Sequence, residues 1–248
     1  MRAMFMGFSL VAYAIFFATF LYLIGFVGNL PELPTTVDRG LVTAPAMALI
    51  TDVALIALFG LQHSVMARQG FKKAWTRMVP RPIERSVYVL LASAALIIMF
   101  TFWRPIEGMV WSIANPVGQT ILWALFLAGW GIVLLSTFLI NHFELFGLQQ
   151  AWLNLQGREG AAHTFRQPML YKWVRHPLYL GFFLAFWSTP HMSYGHLLLA
   201  AGMSLYMLIA IRYEERDLIA WFGRDYEEYR ARVGMLIPGI GRRAPPAG

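Results

Sequence analysis

Arg175, His176 and Pro177 place a cation, a titratable ring and a helix-starting residue side by side in YKWVRHPLYLGFF, directly ahead of an apolar run. Proline is favoured in the first turn of a helix, where its missing N–H would have gone unpaired. A helix is therefore predicted to begin at Pro177, with Arg175 and His176 at its positive end. An arginine, a histidine and the free N–H groups of a helix start make a compact site for a carboxylate or phosphate. The plainer alternative is an arginine reaching out to lipid phosphate.

A second group is RYEERDLIAWFGRDYEEYRARV, from Arg212. As a helix it sets Glu214, Leu218 and Phe222 on one stripe, with Tyr226, Tyr229 and Arg230 nearby if helix resumes after Gly223. Glu214 and Glu215 stand at the end of an apolar run, where acids need a cation or a polar ligand. Asp225, Glu227 and Glu228 read as a solvated face with i, i+4 pairs. A third group, Asn141, His142 and Glu144 in STFLINHFELFG, follows more than twenty apolar residues. A histidine at that depth is costly to protonate and stays neutral near pH 7, so it can accept a proton. Gln62-His63-Ser64 ends another apolar run in the same way. For each histidine the alternative is a structural one, bonded to backbone.

The elements that must hold these groups are membrane helices. Of 248 residues 58% are hydrophobic and 13% charged, against about 25% charged in a soluble domain. In hydrocarbon, helices satisfy their own backbone, so the expected fold is all-α, a polytopic bundle in one domain. Apolar stretches at 5–27, 41–61, 86–103 and 117–140 each suit one span. The stretch 178–211 is too long for one and is broken by Pro190 and Gly195, giving legs 178–188 and 195–211. That predicts four long spans, a helical hairpin turning within or near the far interface, and a C-terminal helix. The N-terminal run reads as a retained span, with a signal peptide as alternative.

The loop after the second run carries six Lys or Arg against one Glu, and the loop after the first one Arg against two acids. The first is thus cytoplasmic and the second external, which puts 141–177, 212–238 and both termini in the cytoplasm. Trp75, Trp103, Trp111, Trp152, Trp173 and Trp221 near segment ends read as an interfacial belt. The net charge of +7 is topological here, and no nucleic-acid motif accompanies it. Without cysteine there is no disulfide, Cys-ligated zinc or thiol nucleophile. No metal is called for. The six histidines raise a haem or quinol subunit as a rival class, but His63, His142, His163 and His176 fall at ends or in loops, and His191 and His196 in a turn. Asp52 is the one acid deep within a span, a packing or gate residue.

Arg-His-Pro-x-Tyr-x-Gly, the Glu-Glu pair, Phe-Gly-x-x-Tyr-x-x-Tyr and a closing proline, in that order over 171–238, resemble the C-terminal signature of the isoprenylcysteine carboxyl methyltransferase family of integral-membrane methyltransferases. The resemblance implies S-adenosylmethionine bound between the hairpin and the cytoplasmic helix. Carried over, Arg175, His176, Pro177, Tyr179 and Gly181 would line the cofactor pocket, with Glu214 or Glu215, Leu218 and Tyr226 opposite. One departure is Gly234 where the family usually has proline, which is expected to loosen the exit of the last helix. On this resemblance 1–140 is a four-span bundle, 141–238 the methyltransferase core and 239–248 a tail.

NHFELFG and LQHS look like the methanethiol S-methyltransferase branch, bacterial membrane enzymes that make dimethyl sulfide. That implies a small volatile thiol as acceptor, a bacterial inner membrane, and in-line transfer to a thiolate. His142 would be the base, His63 the second choice, and Glu144 with Asn141 the orienting groups. A cysteine-free chain suits an enzyme handling a free thiol. The competing acceptors are a prenylcysteine carboxylate or a lipid amine.

Overall fold

The computed structural model describes residues 1–160 and 164–242. His163 and most of the expected tail lie outside them. Among the described residues five helices are long and apolar enough to cross a membrane: α1 (Arg2–Val27), α2 (Pro45–Ala67), α4 (Arg81–Phe102), α5 (Pro116–Ile140) and α9 (Tyr194–Phe222). Between them lie α3 (Gln69–Trp75), α6 (His142–Leu145), α7 (Leu148–Gln156) and α8 (Pro177–Trp187), with α10 (Arg224–Arg232) after the last. Leucine, valine and isoleucine side chains stay exposed along α1, α2 and α5, as surfaces solvated by lipid require. This is an integral membrane protein, and its all-helical bundle is the one its apolar runs imply.

The helix starts follow local chemistry. α2, α4, α5 and α8 each carry proline in their first turn, where the absent N–H costs nothing. Asn115 caps α5 by accepting from the N–H groups of Val117 and Gly118, and Ser193 caps α9 through the N–H of His196.

The hairpin legs are unequal. α8 has only 11 residues, whereas α9 runs 29 residues without a break and carries Glu214 and Glu215 beyond the apolar part. Gly223, at φ +52°, then separates it from α10. The turn between the legs is not free at an interface. Its strand β2 (His191–Ser193) pairs antiparallel with β1 (Met109–Ser112) from the loop between α4 and α5. That small sheet ties the turn to the outer end of the bundle.

Two further residues at this end are fixed by partners from neighbouring loops. Trp103 is buried, not interfacial, and its Nε1 donates to the carbonyl of Val37 at 3.0 Å. Asp52 is buried and its Oδ1 accepts from the N–H of Arg104 at 2.9 Å, so it pins the loop after α4.

α8 is packed hard on α5. A Cβ built on Gly181 would lie 2.7 Å from the carbonyl oxygen of Gly129 and 2.8 Å from the N of Val133, and one on Gly129 would lie 2.6 Å from the N of Ala185. All of these are backbone atoms. Gly181→Ala is accordingly expected to force the helices apart at a cost of about 1–3 kcal/mol, read as a lower melting temperature of the detergent-solubilised protein. An unchanged melt would show that α8 can shift without penalty.

Candidate active site

One cavity of about 490 Å³ lies among α1, α2, α4, α5, α8 and α9, within the roughly 300–1,000 Å³ typical of small-molecule sites. Most of its wall is apolar. Among its polar groups are three sets built around His176, His142 and His63.

The first set surrounds the start of α8. Arg175 is 3% exposed. Its Nε and one Nη lie 2.8 and 2.7 Å from Oε1 of Glu215. Its other donors reach the carbonyls of Arg230, Val233 and Gly241 at 3.3, 2.5 and 3.2 Å. Every arm of the guanidinium is therefore spent within the chain, so Arg175 is a clamp and not the open anion site that its position beside Pro177 suggests. His176 also turns to Glu215, with Nε2 3.2 Å from Oε1. Glu215 is thus the structural carboxylate of the pair. Glu214 lines the cavity, where it accepts from the Tyr179 hydroxyl at 3.0 Å. Leu218 lines the cavity one turn on, and Tyr171 lies beside this wall. Burial and the nearby Glu214 push the Tyr171 phenol up, which keeps it a neutral donor.

Gly181 and Tyr226 do not line the cavity. Gly181 serves the α5 contact, and Tyr226 is buried in a cluster with Tyr229 and Phe165, its phenol raised by burial and then by Glu215. Gly234, expected to loosen the chain, does the reverse. Its carbonyl accepts from the N–H of Arg175 at 2.9 Å and that of Met235 from His176 at 3.2 Å. This ties 233–241 to the start of α8.

The second set is His142. Thr137 Oγ1 donates to the carbonyl of Leu134 at 2.7 Å, so it accepts from His142 Nδ1–H at 2.8 Å, and Nε2 accepts from the Tyr13 hydroxyl at 2.7 Å. This tautomer is assigned from the network. The ring also stacks on Phe138, with centroids 4.2 Å apart. Burial lowers its basicity, consistent with a neutral imidazole. Tyr13 and Thr137 are the orienting groups. Asn141 instead caps α6 by accepting from the N–H of Glu144, and its Nδ2 donates to Glu144 Oε2 at 2.8 Å.

The third set is His63, whose Nε2 lies 2.7 Å from the Tyr88 hydroxyl. Phe59, Tyr88 and Tyr206 surround the ring. Its Nδ1 is buried with no hydrogen-bond partner among the described residues. His142 and the His63–Tyr88 pair thus face one largely apolar space that reaches Tyr179 and Glu214. Tyr13, Thr137, Tyr88 and Tyr206 sit inside apolar runs, and no local motif marks them.

The sequence profile of the NnrU protein family matches residues 52–238. The chain belongs to the NnrU family. Among its relatives is the methanethiol S-methyltransferase of Mycobacterium tuberculosis, 50% identical over 227 residues, covering 92% of this chain and 93% of that protein. Another, from Crocosphaera subtropica, is 48% identical over 237 residues, 96% and 92% of the two chains. The nurim of Danio rerio is a more distant relative, 27% identical over 178 residues, 68% and 64% of the two. No solved structure matches. The resemblance to the methanethiol S-methyltransferase branch is borne out by these relatives. Within this NnrU chain the family match takes in His63, His142, Arg175 and both glutamates.

Proposed function

We propose that this membrane methyltransferase transfers a methyl group from S-adenosylmethionine to a small thiol, with methanethiol giving dimethyl sulfide. The observation that carries the reading is the largely apolar cavity joining the Tyr179–Glu214 wall to His142 and to the His63–Tyr88 pair. The residues fit the donor. Glu214 and Tyr179 offer partners for an ammonium or ribose, while Leu178, Leu218 and Trp221 offer faces for a base. When bound, this cofactor supplies a methyl group on a cationic sulfur.

The chain's own tasks are to keep water out and to take a proton. A thiol such as methanethiol is less acidic than cysteine, whose pKa is about 8.5, so it reaches the cavity protonated. His142 accepts that proton at Nε2 as the Tyr13 hydroxyl swings aside, while Thr137 holds the ring by Nδ1. His63, with an unpartnered nitrogen, is the second acceptor. The apolar lining makes separated charges costly, which favours a step in which a thiolate and a sulfonium neutralise each other. The cation-rich loop supports a cytoplasmic placement of this end of the cavity, where the donor is dissolved, with both termini on that side of a bacterial inner membrane.

Headspace gas chromatography of purified protein given S-adenosylmethionine and methanethiol tests this. Dimethyl sulfide is expected from wild type, with His142→Ala lowering the rate by about 10²–10⁴ and His63→Ala by less. A wild type that binds the donor and releases no volatile sulfide overturns the thiol acceptor.

A further inference from the structure

The spent guanidinium of Arg175 leaves the donor's carboxylate without the partner that the sequence suggested, and another part of the cavity wall supplies one. Arg68, Lys72 and Arg85, from the end of α2, from α3 and from α4, all line it. They are not equivalent. Arg85 donates from Nε to the carbonyl of Leu145 at 2.7 Å and lies over the Tyr88 ring. Arg68 lies 3.3 Å from Asp217 of α9 and over the Tyr213 ring. The Lys72 amine has no hydrogen bond or ion pair with any described residue, yet it is half-buried and faces the same space.

An ammonium held half out of water beside two guanidinium groups is a poor arrangement unless an anion joins it. Its surroundings say so: burial and then Arg85 lower its basicity, while Glu84 and Asp217 only partly offset this. A lysine serving lipid phosphate would extend its amine outward, whereas this one lines the interior. Asp217 lies on the cation side, paired with Arg68, whereas Glu214 stands apart in the same cavity, bonded by the Tyr179 hydroxyl. A patch of three cations and a separate carboxylate match the two ends of a zwitterionic amino acid.

We propose that Lys72, with Arg68 beside it, binds the carboxylate at the amino-acid end of the methyl donor. This rests on the S-adenosylmethionine reading above and adds the residues that read the donor's charged end. It also explains why the cations of this loop sit inside the cavity mouth as well as at the membrane surface. The carboxylate anchors the donor at the cytoplasmic mouth, which leaves the deeper apolar space to the sulfur centre and the thiol.

The test is equilibrium binding, not turnover. S-adenosylhomocysteine and its decarboxylated form are titrated into detergent-solubilised, lipid-free wild type, Lys72→Met, Lys72→Arg and Arg68→Met. Wild type should bind the carboxylated ligand about tenfold or more tightly than the decarboxylated one, as expected for a charge-assisted hydrogen bond. Lys72→Met should erase that preference by weakening only the carboxylated ligand, Arg68→Met should reduce it, and Lys72→Arg should keep most of it. Should Lys72→Met weaken both ligands alike, or neither, the assignment fails. If Lys72→Met does not fold, a preference untouched in Arg68→Met also overturns it. A wild type that binds neither ligand sinks the donor reading itself, and that outcome is distinct from the others.

Discussion

Arg175→Ala is expected to leave a protein that barely survives detergent extraction, melting roughly 6–20 °C below wild type. The estimate follows from what the side chain holds. Removing one partner of a buried ion pair costs about 3–5 kcal/mol because the other charge stays buried, and for a chain of this size each kcal/mol shifts the midpoint by about 2–4 °C. Here the charge left behind is Glu215, 5% exposed and kept, among the described residues, only by His176 at 3.2 Å and Arg230 at 3.9 Å, and the carbonyls of Arg230, Val233 and Gly241 lose their donor as well. Arg175→Lys should recover little, since one ammonium cannot reach a carboxylate on one side and three carbonyls on the other. Pairing Arg175→Met with Glu215→Gln should recover part of the loss by removing both charges. An alanine variant melting within about 2 °C of wild type would refute the clamp.

The second large effect is at Gly234. A Cβ there would lie 2.1 Å from the carbonyl oxygen of Ile237, 2.7 Å from the N of Gly239 and 2.9 Å from the carbonyl oxygen of Ile240. All three are backbone, so the turn 234–241 must open to admit one. Opening it also pulls the carbonyls of Gly234 and Met235 away from the N–H groups of Arg175 and His176. Gly234→Ala should therefore cost about 3 kcal/mol, the upper end for overpacking, and weaken donor binding through the displaced start of α8. Gly234→Pro, which restores the residue the wider methyltransferase family usually carries here, should fare no better, because proline also brings a Cβ. Melting curves and donor affinity for both variants decide it. A proline variant as stable as wild type would mean that this turn reorganises freely.

The bundle was legible because lipid imposes a coarse rule: apolar runs of about twenty residues become spans, and prolines mark their starts. The legibility ended where side chains meet across great sequence distance. Tyr13 and His142 are 129 residues apart, and a tyrosine in an apolar helix carries no mark of its partner. Glu214 and Glu215 are adjacent and chemically alike, and only the rotation of α9 separates the one facing the cavity from the one facing Arg175. Arg175 shows the opposite difficulty. Its motif was plain, but whether its donors face a ligand or the chain depends on residues 230–241 folding back over it. Lys72 and Arg68 belong to a cation-rich loop, and that pattern conceals their place in the cavity wall. The strands β1 and β2 are too short to show any alternation.

The short length of α8 bears on how the protein is assembled. Eleven helical residues rise only about 16 Å, half of a hydrocarbon core about 30 Å thick, so α8 cannot be threaded into the bilayer as a span in its own right. It depends on its neighbours for its place, packing on α5 along one face, and it carries Arg175 at its base while Glu215 lies on the other leg. Until α9 is seated, that guanidinium has no carboxylate to meet. A chain in which α9 is not seated accordingly lacks both the Arg175–Glu215 ion pair and the Tyr179–Glu214 contact, so one misplaced helix undoes the clamp and the cavity wall together.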